Sequence, residues 1–429
     1  MHPYTPDTKR PAYRSRGSLA AVLSAGLLIG CSSLLDVQAP QLIEESTLQV
    51  ASNAPVIVAG AVGDFECAWG SYTVAGAIIG DELADGQGNA ATWDLDRRTN
   101  NPANGLFTTA GCTSPGGTYT PISIARYSAD NAVRLLESWS DEQVPGRQLL
   151  IARATVYAGY SLVLLGEAMC SAAIDLGPEL TRTQIFQLAE DRFTKAITTA
   201  SALTGSSADS IRLLSLLGRA RSRIDRNLYA TAAADAALIP NNWTMNVRFN
   251  EKDTRVENRI YRQNGLGSGF TAAPTVRGVT FEGVADPRVP VVNTGRISNT
   301  QPLWIQTKYT ALSQPAPLAS WREALLIRAE AAAEAGDGPA AVGFINQLHT
   351  RVSLPPYVST DIAAIKAQVI EERRRELFLE SHRYFDISRF DLPEVPAPGS
   401  AFYAGGSFAS QKCLPLPDVE RLNNPNLRG

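Results

Sequence analysis

The stretch "VIEERRRELFLESHRYFDISRF", residues 369–390, decides how this sequence is read. It spaces Glu372, Glu376 and Glu380 four residues apart and predicts one continuous helix. Val369, Arg373, Glu376, Glu380 and Arg383 then line neighbouring turns, and the opposite face carries Ile370, Leu377, Phe378 and Phe385. An exposed pair of opposite charges at this spacing stabilises a helix by only about 0.2–0.5 kcal/mol. Charges at this density beside aromatic rings therefore imply more than solubility. They imply a packed junction in which arginines and carboxylates satisfy one another. That structural role takes precedence over a catalytic one for Glu372, Glu376 or Asp386.

The sequence around this segment is mostly helical in pattern, and extended alternation is scarce. "WREALLIRAEAAAEAGDGPAAVGFINQLHTR", residues 321–351, reads as two helices that turn at Gly336, Asp337 and Gly338. Further upstream, "IFQLAEDRFTKAITTA" carries Ala189, Phe193 and Ala196. "LLSLLGRARSRIDRNLYATAAADAALIP" then supplies Gly218, Ala220, a polar turn at 225–227, Ala232, Ala236 and a closing Pro240. Small residues where helices touch, with a proline past the second helix, meet the needs of tetratricopeptide hairpins. No strict repeat period survives, so the hairpins read as a scaffold rather than a uniform peptide-binding solenoid.

Residues 147–170 have so little charge after Arg153 that a helix there is buried on most sides. Residues 121–139 place Ile124, Tyr127, Ala132 or Val133, and Leu136 along one face, and residues 41–63 suit a helix opened by Pro40 and early glutamates. Residues 80–120 and 241–320 are rich in turn-forming residues and read as long irregular segments, the kind that tend to carry binding surface. The expected class is mostly α, with a helical scaffold over about 41–240 and 320–390 and an irregular region over about 241–320 and 391–429.

The N-terminus has a different character. Lys9, Arg10, Arg14 and Arg16 form a basic head, residues 19–30 form an apolar core, and no acidic residue lies between Thr8 and Cys31. That is the layout of a secretory signal. The apolar run is short of the ~20 residues that span a bilayer permanently. Leu28, Ile29, Gly30 and Cys31 match the lipobox of bacterial lipoproteins, which makes 1–30 a cleaved signal and Cys31 the lipidated first residue of the mature chain. Ser32 rather than Asp follows it, which permits sorting to the outer membrane.

The whole chain is 44% hydrophobic with a net charge of -3, which offers no general attraction to nucleic acid or to an anionic membrane surface. Cys67, Cys112, Cys170 and Cys413 remain after Cys31, and an even number in an exported protein suggests two disulfides. Of three connectivities, Cys67 with Cys112 and Cys170 with Cys413 is favoured, because the first two both lie in the N-terminal third; free buried thiols are the alternative. The scarcity of histidine, three in all, and the lack of a CxxC pair argue against zinc. No metal or cofactor is expected.

Four motifs together resemble the SusD/RagB family of outer-membrane nutrient-binding lipoproteins. "CSSLLDVQAP" is similar to the family's mature N-terminus. "REALLIRAEAAAEAGD" resembles its helix through Glu323, Leu326, Ala329, Glu330 and Ala331. "EERRRELFLESHRYFDISRF" resembles its signature through Glu372, Arg373, Arg374, Glu376, Leu377, Glu380, Arg383 and Asp386. "LPLPDVERLNNPNL" resembles its closing motif through Pro415, Pro417, Glu420, Asn424, Pro425 and Leu427. The resemblance implies a SusD-like fold over residues 31–429, with four tetratricopeptide-like hairpins and a loop-rich region. It also implies a lipid-anchored protein facing outward from the outer membrane. Such a protein captures an oligosaccharide or peptide, passes it to a SusC-type TonB-dependent transporter, and makes or breaks no bonds.

Aromatic residues are 7% of the chain, with 6 Trp, so few rings are available to stack on sugar faces. Trp93, in the loop "GQGNAATWDLDRRTN", is the leading ligand-binding candidate, with Asp94 and Arg97 as polar partners; Asp96 and Arg98 lie beside them. Trp243 and Trp304, in the irregular region, are further candidates, ahead of Phe270 and Phe281, whereas Trp69 and Tyr72 belong to the core. Two other classes compete. A surface glycosidase could recruit Asp81 with Glu82, or Asp94 with Asp96, but no motif singles these pairs out. "GYSLV" at 159–163 lacks the second glycine of a nucleophile elbow and lies in a helical stretch. The remaining alternative is a periplasm-facing tetratricopeptide lipoprotein that assembles envelope machinery.

Overall fold

Glycine faces packed on aromatic rings organise the helical part of the protein. The computed structural model describes residues 49–427 apart from 87, 268, 299 and 300, so the lipobox and Cys31 lie outside the described residues. Helix α1 (Ala54–Ile79) has Pro55 in its first turn and runs through the buried Trp69 and Tyr72; the first part of the 41–63 pattern, 41–48, lies outside the described residues. Short helices α2 (Trp93–Arg97) and α3 (Gly105–Thr108) interrupt the following loops. The long helices α4 (Tyr119–Ser138), α5 (Arg147–Ala168), α6 (Arg182–Ser201) and α7 (Ser206–Ile224), with the shorter α8 (Tyr229–Ala236), then pack each against the next. After the loop-rich region come α9 (Trp321–Glu334), α10 (Gly338–Arg351), α11 (Ile362–Glu376), α12 (Arg383–Arg389) and α13 (Asp418–Asn423).

Helix α5 is apolar and long enough to span a membrane, with a mean hydropathy of 1.5, yet 83% of that stretch is buried in the protein. It is the central core helix. Its buried hydroxyls are satisfied locally: Thr155 donates to the Ile151 carbonyl at 2.7 Å and Ser161 to that of Tyr157 at 2.9 Å. Its glycines admit rings from α6. The Phe193 ring fills the space where a Cβ on Gly159 would sit 2.7 Å from it, and where one on Gly218 of α7 would sit 2.4 Å from it. Phe186 closes on Gly166 in the same way. Because Phe193 is clamped from both sides in a close-packed interior, Gly218→Ala is expected to destabilise by about 1–3 kcal/mol, despite alanine's better helix propensity. Chemical denaturation would read this as a lower midpoint at unchanged slope.

Helix α4 differs from its sequence pattern. Its core face is Ile122, Ala125, Ala129, Ala132, Val133 and Leu136, whereas Ile124 and Tyr127 are 50% and 53% exposed. The true stripe is built largely of alanines, which weigh little in a hydrophobic pattern. The hairpin of α9 and α10 is as expected, with Gly336 at φ +81° in the turn and the Asp337 side chain accepting from the Ala340 N–H at 3.1 Å.

Short strands thread the segments that read as loops. They are β1 (Leu83–Asp85), β2 (Ser171–Ala173), β3 (Glu179–Thr181), β4 (Thr244–Val247), β5 (Phe270–Ala272), β6 (Thr280–Phe281), β7 (Val284–Ala285), β8 (Val291–Ser298), β9 (Gln301–Gln306) and β10 (Ala316–Ser320). They pair antiparallel as β1 with β5, β2 with β3, β4 with β10, β6 with β7 and β8 with β9. Several are too short or too evenly buried to alternate; β5 is buried at all three positions. Both disulfides form with the favoured connectivity, Cys67 to Cys112 and Cys170 to Cys413.

The 369–390 segment is a charged junction, as its composition implies, but it is not one helix. Helix α11 ends at Glu376, and Leu379 and Ser381 take left-handed φ values of 55° and 74° before α12 begins. Partners from distant parts of the chain satisfy the broken backbone. Glu82 accepts from the Leu379 N–H at 2.9 Å, and Lys308 donates to the Phe378 carbonyl at 2.6 Å. The ion pairs are dense. Arg322 bridges Glu376 and Glu380 at 3.0 Å each, Arg351 meets Glu376 at 2.6 Å, Arg373 meets Asp386 at 2.9 Å, and His349 meets Glu372 at 2.8 Å. Arg288 joins Asp286 to Glu372 from the loop after β7.

Burial gives these carboxyls opposite fates. It would raise Glu376, but Arg322, Arg351 and Arg288 hold it below the usual range; it would raise Glu372, but His349 and Arg288 hold that down too. For Glu82 burial wins and pushes the carboxyl up to about 8, and Asp96 likewise up to about 7. A depressed carboxyl contributes stability that is lost as pH falls through its folded value. A raised one contributes stability that is complete below its unfolded value and is lost as pH rises through the folded one. Stability is therefore expected to fall on both sides of an acidic-to-neutral optimum. Glu82→Gln, which keeps the acceptor for Leu379, should flatten the decline between pH 4.5 and about 8 in a denaturation series.

Candidate functional site

A carboxylate at the end of β1 gathers side chains from both ends of the chain. Strand β1 is held against β5 in the register Leu83 to Ala272 and Asp85 to Phe270, which fixes the direction of Asp85. The Asp85 carboxylate accepts from the Trp93 indole N–H at 3.2 Å, the Thr92 hydroxyl at 3.2 Å, the Gly88 N–H at 3.2 Å, and the Tyr403 hydroxyl. Its own N–H donates to Asp96 at 2.8 Å. Phe402 packs edge-on to Trp93 with ring centroids 6.1 Å apart and touches Phe408 in the same way at 5.5 Å. Arg98 pins the loop beneath them, donating to the carbonyls of Val395, Pro396 and Ala409.

These groups border a cleft of about 220 Å³. Phe402, Tyr403 and Phe408 form one wall, and Asp85, Arg277 and Gln301 supply polar groups. The Tyr403 side is accessible, with the residue 37% exposed. Arg277 is held by a 2.9 Å bond to the Ala272 carbonyl and lies over the Trp304 ring at 5.3 Å, and burial lowers its pKa. Thr271 fastens this wall to β9, donating to the Pro302 carbonyl at 2.8 Å and accepting from the Trp304 N–H at 2.9 Å.

The sequence candidates divide around this cleft. Trp93 and Trp304 stand behind its walls, each half-buried and engaged by a lining residue, Asp85 or Arg277. Asp94 is occupied within its own loop, paired with Arg97 at 2.9 Å and accepting from Thr99 at 2.7 Å and Asn104 at 3.2 Å. Arg97 in turn lies over Phe402 at 5.5 Å, so this pair braces the aromatic wall. Trp243 is elsewhere: it packs on the core beside β4, and its carbonyl accepts from the Trp321 N–H at 2.9 Å. Asp81 and Glu82 are committed to Arg383 and Leu379 respectively. Sequence reading missed Asp85, Arg277, Phe402 and Tyr403. The signal for the last two was an aromatic doublet ahead of glycines in "FYAGG", residues 402–406. Among the described residues, no group of three or more His, Cys, Asp and Glu is arranged to hold a metal.

Residues 296–421 match the SusD family. A SusD-like carbohydrate-binding protein from Bacteroides vulgatus superposes with a TM-score of 0.69 at 14% identity, covering 88% of this chain and 97% of that one. A SusD-like protein from Bacteroides fragilis gives 0.67 at 11% identity, with 90% and 97% covered. A laminarin-binding SusD-like protein gives 0.63 at 15% identity, with 87% and 98% covered. No curated protein matches the sequence significantly. The matched segment contains the charged junction and the α9 helix, and the whole fold follows. Residues 296–421 thus carry the SusD family match, and the fold of the described residues is SusD-like.

Proposed function

We propose that this protein captures a nutrient, an oligosaccharide or a peptide, in the cleft walled by Asp85, Arg277, Gln301, Phe402 and Tyr403. The observation that carries the reading is the meeting, in one cleft, of the exposed Tyr403 ring, backed by the buried Phe402 and Phe408, with fixed hydrogen-bonding groups. A sugar ring presents an apolar face for stacking and hydroxyls at its edge, so it suits a site with one aromatic side and one polar side. The carboxyls that line the cleft, Asp81, Asp85 and Asp96, are tied to guanidinium, indole, hydroxyl and amide partners, which favours positioning over catalysis. The carbohydrate-binding and laminarin-binding neighbours support a glycan as the first class to test.

In the fuller reading, Cys31 anchors the protein by lipid to the outer face of the outer membrane, and the ligand passes to a SusC-type TonB-dependent transporter. Exposed apolar side chains support a docking surface for that partner. Ile124, Tyr127, Leu176 and Leu422 are each at least half exposed. Arg126 to Asp175, at 2.7 Å, and Asn426 to the Leu176 carbonyl, at 2.6 Å, tie α4, the 174–177 turn and the C-terminal segment together.

Titration of the purified protein with laminarin and other oligosaccharides, and with peptides, tests the site. Asp85→Ala releases both Trp93 and Tyr403, and is expected to weaken the bound class at least about tenfold; Tyr403→Ala removes the exposed ring and should act in the same direction. Affinities within about twofold of wild type for both variants would rule this cleft out.

A further inference from the structure

Nearly every guanidinium among the described residues is engaged by a carboxylate, a carbonyl, an amide or a ring. Arg153, Arg248 and Arg296 are the exceptions, with no hydrogen bond, ion pair or ring contact from the guanidinium group, and two of the three line one cavity. That cavity, of about 380 Å³, lies among α1, α5, β4 and the start of α7, and shares no lining residue with the Asp85 cleft. Glu66 of α1 and Tyr157 of α5 line it beside Arg153, with Ser206 and Ser210 of α7 opposite. The Glu66 carboxylate accepts from the Arg248 N–H at 3.0 Å, and burial pushes its pKa up. Phe65 backs the Tyr157 ring edge-on at 5.2 Å. Helix α7 opens here, and its first turn adds backbone N–H groups and the positive end of the helix dipole.

We propose that this cavity is a second binding site, taking the carboxylate of a small polyhydroxylated acid, that is, a sugar acid. Guanidinium groups recognise carboxylates through paired hydrogen bonds, and among the described residues two unpartnered ones come together only here. Two cations opposed by one carboxyl leave room for a monoanion, whereas a phosphate dianion would face Glu66. The serine and tyrosine hydroxyls, with the Glu66 carboxyl, suit the hydroxyls of such a ligand. The site does not depend on the Asp85 cleft, and either can fail alone.

Calorimetric titration of the purified protein at low salt with glucuronate, glucose and inorganic phosphate is the test. Glucuronate is expected to bind, and R153Q/R248Q to weaken it at least about tenfold, with R153Q and R248Q each weakening it separately. R296Q, the third unpartnered arginine, lies outside the cavity and should leave binding unchanged. All three arginines are exposed, so unchanged melting of the unliganded variants is expected and shows that they fold. Absence of glucuronate binding to wild type, equal binding by the double variant, or phosphate or glucose binding that matches glucuronate and falls with it in R153Q/R248Q would each overturn the proposal.

Discussion

Replacing Cys170 and Cys413 together by serine is expected to lower stability by about 5 kcal/mol, against about 4 kcal/mol for Cys67 with Cys112. The bridges close loops of very different length, with sequence separations of 243 and 45 residues, and the longer loop restricts the unfolded chain more. The longer bridge also has local support. Cys170 donates to the Leu414 carbonyl at 2.8 Å, and Leu414 returns a bond to Ala168 at 2.9 Å. It thereby staples the end of α5 to the C-terminal segment that carries Tyr403 and Phe408. Melting of the two double-serine variants, side by side, gives the comparison; a larger loss for the shorter loop would contradict the chain-entropy argument.

Glu376→Ala is expected to cost about 3–5 kcal/mol, because the loss leaves positive charges buried without their partner. Arg322, Arg351 and Arg288 all converge on this one carboxylate, whose side chain has no exposed area. Glu371, one turn earlier, provides the contrast. It pairs with Arg374 and Arg375, but its side chain is 30% exposed, so Glu371→Ala is expected to cost about 1 kcal/mol or less. Denaturation curves for the two variants measure the difference. Equal effects would mean that the junction is no more than a solvated charge cluster.

The helical scaffold was legible because its signals are local. Ala189, Phe193 and Ala196 recur at helical spacing, and all three are buried where α6 meets its neighbours. The charged junction was legible in kind, since that density of arginine and carboxylate has no cheaper explanation than mutual pairing. Its backbone was not. The break after Glu376 depends on Glu82 and Lys308, which lie 297 residues from Leu379 and 70 from Phe378 respectively, and no pattern within 369–390 contains them. The site shows the same division. Trp93 stood out in a polar loop, but its role is set by Asp85 and by a tyrosine 318 residues beyond that aspartate. Arg277 and Trp304 meet only because Thr271 ties β5 to β9.

The proposed role of this protein is that of the capture component of an uptake pair. Its most direct test is to solubilise the outer membrane of the native host in mild detergent, purify this protein by affinity, and identify what accompanies it. A stoichiometric β-barrel receptor is the expected result. Recovery of the protein alone, or together with periplasmic assembly machinery, would contradict it.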